Sequence, residues 1–326
     1  MSIWELSDLS TPWCVHVAAT LRVAHHIRDG HHEIGEIAEA AHADRDALHR
    51  VLRHLSRRGV FVESAPGHFD LNPTAEELLD EGMQLTLDLD SFGGRMAHAW
   101  GTLLSAVRSG KTAYHEAFGR NFWDDMDANP EIGAKFDALI GPQGHGKSDP
   151  EILVDPSDWA EVRSVVDVGG GTGSLLVEIL RAHPHVRGTL VDLPRAAAQA
   201  RAAFETAGFG DRASVVGQSF FNPLPSGADV YVLKNVLADW PDAEAATILR
   251  RCAEAARPNG RVIVFTGAGP GDEADPELLM LVLVGGKGRT LEEFRELGRR
   301  ASLEMTAHGK QPSGKKIAEF RPIATA

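Results

Sequence analysis

Apolar residues in the first part of the chain recur at helical spacing. Between Pro12 and Ile27 they fall at Val15, Val17, Ala18, Leu21, Val23, Ala24 and Ile27, and Gly30 marks the stop. Ile34 to Ala41 and Arg45 to Arg58 read as two further helices, joined by a tight turn at His42 to Asp44. Asp44 is the predicted N-cap of the second, because its short carboxylate can accept a free amide of the first turn. Gly59 ends that helix. The period then changes. Val60-Phe61-Val62-Glu63 and His68-Phe69-Asp70-Leu71, separated by Ser64-Ala65-Pro66-Gly67, read as a hairpin. Helix, turn, helix and hairpin in that order predict a winged helix over residues 1–85.

Residues 86–160 read as helices with polar breaks, Phe92–Leu104 among them, and Gly141-Pro142-Gln143-Gly144-His145-Gly146-Lys147 reads as a loop. From residue 161 to 326 short apolar strands alternate with helical stretches. The strands are Ser164–Val168, Gly188–Asp192, Ala213–Val216, Asp229–Leu233 and Arg261–Thr266. That alternation predicts an α/β, Rossmann-like domain: a mostly parallel sheet with helices on both faces.

Charge and composition narrow the partners. The formal net charge is −13, so the surface repels a phosphate backbone. The helix Arg45–Arg58 is arginine-rich, as in a DNA reader. The overall acidity favours instead a structural or dimerising use of the winged helix. Two distant cysteines, Cys14 and Cys252, form no metal pattern and fit a reduced compartment. The N-terminus lacks the basic start and apolar run of a signal peptide, and Leu278 to Val284 is far too short to span a bilayer. A cytoplasmic protein with no nucleic-acid or membrane partner is expected. The 15 histidines are mostly single, and the pairs His25-His26 and His31-His32 point apart on a helix. No metal is expected.

The chemistry starts at Asp167-Val168-Gly169-Gly170-Gly171-Thr172-Gly173, where a strand runs into glycines and a helix, Ser174 to Ala182, follows. Glycines permit a sharp turn and close approach of a ligand beyond the carboxyl end of the sheet. A P-loop needs Lys and Ser/Thr after its last glycine, but Ser174 and Leu175 follow Gly173. The dinucleotide pattern G-x-G-x-x-G fails as well, since its third glycine would be Ser174 or Leu176. The loop suits S-adenosylmethionine (SAM). Asp167 offers negative charge to the cationic end of the cofactor. Asp192 closes the next strand about 20 residues beyond the loop, where a carboxylate can accept both ribose hydroxyls.

Val166 to Gly173, Val191-Asp192-Leu193-Pro194, Ser219-Phe220-Phe221, Leu233 to Trp240 and Gly285-Gly286-Lys287-Gly288-Arg289-Thr290 together resemble SAM-dependent small-molecule O-methyltransferases. That family includes plant phenolic enzymes and actinobacterial antibiotic-tailoring enzymes. The resemblance covers nearly the whole chain. It implies that the winged N-terminal region makes a homodimer. It further implies that Gly169 meets the cofactor's methionine end, that Asp192 meets the ribose, that Ser219 and Phe220 line the adenine pocket, and that Gly171 and Leu193 also bind the cofactor. Lys234 would lie beside the cofactor and Trp240 near the adenine. The plant members usually carry Asp where this chain has Ser219.

The catalytic positions depart from the family pattern. The usual base, a His, is replaced by Ala238, and the two acids that orient it are replaced by Thr266 and Gly288. None of these can take a proton from a phenol near neutral pH. Two readings follow. In the first, SAM methylates an already acidic aromatic hydroxyl by positioning alone, which can supply on the order of 7–11 kcal/mol, whereas a general base adds about 10²–10⁴-fold. In the second, SAM is kept for a non-methylating step, as in relatives associated with hydroxylation, decarboxylation or pericyclic chemistry. A SAM-sensing DNA-binding regulator is the third, disfavoured by charge. Replacement bases are sought at His98, His145 and Asp239. Candidate walls of an apolar substrate pocket are Trp100, Phe136, Ile140, Met280 and Leu283.

Overall fold

The computed structural model describes residues 2–140, 148–265 and 277–323, the side chain of Ile140 excepted. The chain divides into two compact units, one of residues 1–98 and 129–139, the other of residues 99–128 and 140–326. Helices from the 86–160 stretch are shared between them.

The first unit is built on helices Ser10–Thr20, Val23–Arg28, Ile34–Ala40 and Arg45–Arg57, followed by β1 (Phe61–Ala65) and β2 (His68–Leu71) in an antiparallel hairpin. Asp44 caps the fourth of these helices: its Oδ1 accepts the Ala47 amide at 2.9 Å. Leu48, Leu52 and Leu55 form the buried stripe of that helix, packed with Ile37, Phe61 and Phe69. The single helix expected from Pro12 to Ile27 is broken. Arg22 adopts φ 52°, and the Thr20 hydroxyl donates back to the His16 carbonyl at 2.8 Å while accepting the Leu89 amide at 2.8 Å. Apolar spacing does not report such a hydroxyl, which offers the backbone another partner. Two arginines of the Arg45–Arg58 stretch are engaged by acids: Arg53 lies 3.4 Å from Glu63, and Arg58 lies 3.2 Å from Asp8.

The second unit holds a seven-stranded sheet in the order β5-β4-β3-β6-β7-β9-β8. These are β3 (Ser164–Val168), β4 (Arg187–Asp192), β5 (Ala213–Gly217), β6 (Val230–Leu233), β7 (Arg261–Phe265), β8 (Leu303–Lys310) and β9 (Lys316–Pro322). β3 to β7 are parallel, and their central members are buried apolar runs, as expected when helices cover both faces. The antiparallel pair β8–β9 is absent from the strands read in the sequence. Its signal is the alternating burial of β8, a period-two pattern in a stretch of mixed polarity. From β3 the chain winds outward through β4 and β5, then returns to place β6 on the other side of β3. That reversal is a topological switch point, and it puts the ends of β3, β4 and β6 around one crevice.

Candidate active site

β3 ends in Asp167 and Val168, both buried, and the chain turns through Gly169, Gly171 and Gly173, whose φ values are 70°, 58° and 83°. Side chains are excluded here for different reasons. A Cβ on Gly169 would stand 2.7 Å from Val236, and one on Gly173 would stand 2.8 Å from Phe204. At Gly171, no atom of the described residues lies within 4 Å of where a Cβ would stand, so the loop faces open space there. Gly173 opens the helix Ser174–Ala182.

Asp192 ties this loop to the end of β4. Its Oδ2 accepts the Gly171 amide at 2.7 Å and its Oδ1 accepts the Leu193 amide at 2.7 Å.

Asp167 lies under the loop, with Oδ2 where a Cβ of Gly170 would otherwise fit. That oxygen is buried and has no hydrogen-bond partner among the described residues. Burial pushes the carboxyl up to about 7; the Lys234 ammonium opposes this and Asp192 adds to it. Lys234 closes the adjoining β6 and donates from Nζ to Ser148 Oγ at 2.6 Å. Burial holds its ammonium below the usual lysine range, with Lys315 adding to the effect and Asp167 counteracting it. A buried carboxyl with an unsatisfied oxygen, beneath a loop open at Gly171, fits the cationic methionine end of SAM.

An aromatic group flanks the loop. Phe220 reaches within 3.4 Å of the Gly169 Cβ position, and Trp240 stands edge-on to both Phe220 and Phe221 at 5.9 and 4.9 Å between centroids. Trp123, which the sequence reading passed over, stacks on Trp240 at 6.4 Å. The Ser219 hydroxyl accepts the Phe221 amide at 3.3 Å within its own turn.

Ala238 and Asp239 lie in the short helical turn Leu237–Asp239 that follows β6. The Asp239 residue keeps some open surface, and burial of its carboxyl pushes it up to about 7. This turn is fixed by a residue that the sequence reading quoted but did not assign. Arg289 is fully buried and donates to the carbonyls of Leu237 and Trp240 at 2.6 and 2.7 Å, and to Asp242 at 3.0 Å. Gly286 is pressed on the same turn: a Cβ there would stand 1.9 Å from the Ala238 carbonyl oxygen.

The remaining candidates scatter. Trp100, half-exposed, opens a 3₁₀ turn, Trp100–Thr102, which packs with the helix Leu278–Leu283 carrying Met280 and Leu283. The Thr112 hydroxyl closes that helix by donating to the Val282 carbonyl at 3.0 Å. Phe136 belongs to the first unit, packed on Phe92 at 4.9 Å. His98 also lies there, its ring 5.1 Å from that of Trp13. His145, Thr266 and the side chain of Ile140 lie outside the described residues. His32, just before the helix Ile34–Ala40, meets His68 and Asp70 of β2, with one side-chain N or O atom of each within 4.8 Å of the others, a juxtaposition not visible in the spacing.

Residues 100–304 match the O-methyltransferase domain family. The chain is 43% identical over 307 residues to 2,7-dihydroxy-5-methyl-1-naphthoate 7-O-methyltransferase of Streptomyces carzinostaticus, across 93% of this chain and 92% of that protein. It is 38% identical over 328 residues to aclacinomycin 10-hydroxylase RdmB of Streptomyces purpurascens, across 97% and 87%. Among solved structures, the O-methyltransferase NcsB1 from neocarzinostatin biosynthesis, in complex with SAM and 2-hydroxy-5-methyl naphthoic acid, superposes with a TM-score of 0.91 at 42% identity, covering 99% of each chain.

Proposed function

The chain belongs to the O-methyltransferase family, and from that premise we propose that it transfers a methyl group from SAM to an acidic hydroxyl of a small aromatic natural product. SAM is its cofactor and, when bound, supplies a methyl group on a sulfonium that is already activated for in-line displacement. The protein's part is to hold and orient. Gly169 and Gly171 leave room at the methionine end, where Asp167 supplies negative charge. Asp192 and Leu193 form the ribose side. Ser219, Phe220 and Trp240 line the adenine side, and Lys234 stands at the edge of the crevice.

The observation that carries this reading is Asp192, whose carboxylate ties the glycine loop to the end of β4 and leaves Gly171 open in front of it. Ala238 supplies no imidazole, so positioning, which can contribute on the order of 7–11 kcal/mol, carries most of the rate. An acceptor hydroxyl acidified by its ring needs least help from a base. The naphthoate relative supports an aromatic acceptor. Trp100, Met280 and Leu283 are the proposed apolar wall on the second unit.

The test is incubation with methyl-labelled SAM and a panel of hydroxynaphthoates and related polyketide phenols. Label in the product supports the reading. A product formed without label and without S-adenosylhomocysteine would sink it and favour a tailoring step like that named for the 10-hydroxylase relative. We also propose a cytoplasmic homodimer formed through the N-terminal region. Supporting it, Ile3, Trp4, Leu6 and Leu9 expose apolar side chains, and no helix among the described residues is long and apolar enough to cross a membrane. Light scattering that gave a monomer mass would refute the dimer.

A further inference from the structure

The segment that braces the Ala238 turn holds a carboxylate from elsewhere in the chain. Arg289 bonds the Leu237 and Trp240 carbonyls, Lys287 lies 3.2 Å from Asp242, and Gly286 abuts the Ala238 carbonyl. The segment 285–289 is therefore locked against the 237–242 turn. Within that segment, a Cβ on Gly288 would stand 2.4 and 2.6 Å from the two carboxylate oxygens of Glu277. The carboxylate thus occupies the space that a side chain at 288 would fill.

Two separate oddities produce this placement. Glu277 has φ 56°, in the left-handed region that side chains rarely adopt, and it stands immediately before the helix Leu278–Leu283. Gly288 has no positive φ to account for it, and its missing side chain is what admits the carboxylate. Strained backbone clusters at functional sites, but Arg22, His42, Asn235 and Ser302 share this region, so the placement rests on the Gly288 contact.

Building on the methyl-transfer reading, we propose that Glu277 supplies the proton acceptor for the acceptor hydroxyl. In this step the acceptor oxygen forms its bond to the methyl carbon as the carbon–sulfur bond breaks and its electron pair stays on sulfur. The hydroxyl proton passes to the Glu277 carboxylate. A carboxylate is a weak base, so it serves hydroxyls that are already acidic. That restricts the acceptors to phenols carrying an electron-withdrawing neighbour, such as a quinone carbonyl.

Two variants act on this carboxylate in different ways. Glu277→Gln removes its charge. Gly288→Ala keeps the charge but displaces the carboxylate, since the added methyl meets only the far end of a flexible side chain. Both should lower kcat by about 10²-fold or more, the lower end of general-base effects, with the Kd for SAM unchanged. The loss should grow as the phenol becomes less acidic. A second readout needs no turnover: 2,7-dihydroxy-5-methyl-1-naphthoate is titrated spectroscopically in the S-adenosylhomocysteine complex. Losing the neighbouring negative charge should shift ionisation of the bound phenol to lower pH in Glu277→Gln. The inference falls if both variants keep kcat within twofold of wild type, if the bound phenol titrates identically, or if Asp239→Asn alone abolishes turnover while Glu277→Gln does not. Should Glu277→Gln fail to fold, Gly288→Ala decides. Wild-type enzyme that transfers no label to any acceptor would sink the methyl-transfer reading, and the binding titration would still judge Glu277.

Discussion

The Asp192 carboxylate accepts the backbone amide of Gly171 at 2.7 Å, so the end of β4 and the glycine loop form one anchored unit. Asp192→Ala removes both this bond and the one to Leu193. It also removes the proposed acceptor for the ribose hydroxyls; one hydrogen bond to a charged group contributes roughly 1.5–3 kcal/mol, so losing one such bond should raise the Kd for SAM by about 10- to 150-fold. Asp192→Asn keeps one acceptor oxygen and should lose less. Calorimetric titration distinguishes them. A Kd within threefold of wild type in both variants would remove Asp192 from the cofactor site.

Gly171→Ala separates folding from binding. The added methyl meets no described atom within 4 Å, so only the left-handed backbone opposes it. That strain costs about 1–2 kcal/mol, a loss of a few degrees in Tm. If the cofactor occupies the open space, SAM affinity should fall far more steeply than stability. Equal and modest losses in both would mean that the open face of Gly171 is not the binding face.

Much of this fold was legible because buried parallel strands read as apolar runs and helices as period 3.6. The strand Ser164–Val168 and the helix Ser174–Ala182 have the bounds expected of them. The glycine spacing isolated the loop because few backbones need glycines so closely set. What stayed hidden depends on contacts between distant segments. Arg289 reads as an ordinary surface cation until the fold buries it under Leu237 and Trp240. Glu277 is unremarkable in sequence, and only Gly288 gives it meaning. Trp123 joins the aromatic group around Trp240 through folding alone. Local periodicity carries none of that information.

Asp167 makes stability depend on pH in the direction opposite to an ordinary carboxylate. Its folded pKa is raised from 3.8 to about 7, so the folded state holds the proton more tightly than the unfolded chain does. Its contribution is fully present below about pH 4 and is lost as pH rises toward 7, a change on the order of a few kcal/mol. Asp167→Asn cannot ionise. Its Tm relative to wild type should therefore rise between pH 5 and pH 8, measured without cofactor. SAM affinity should show the converse in wild type, strengthening as pH passes 7 because a cation favours the ionised carboxyl, and should be flat in the variant. Parallel Tm profiles for the two proteins would contradict the raised pKa.

Arg289 sets the position of the Ala238 turn, and its removal should harm both stability and turnover. Arg289→Met fills a similar volume but leaves the Trp240 carbonyl without its guanidinium donor and the Leu237 carbonyl with only the long bond from the Trp240 amide at 3.4 Å. Each unsatisfied buried group costs about 1–3 kcal/mol, so Tm should drop by several degrees. Turnover should fall at least tenfold, because the turn and the 285–289 segment lose their common brace. Arg289→Lys restores the charge but cannot span three acceptors with one ammonium, and it should recover less than half of the lost stability. Gly286→Ala should mimic the turnover defect by a separate route, since its methyl would stand 1.9 Å from a backbone oxygen that has no freedom to rotate away. Thermal melts and steady-state kinetics on the three variants test the brace. An Arg289→Met enzyme with wild-type Tm and kcat would show that the turn holds its shape without it.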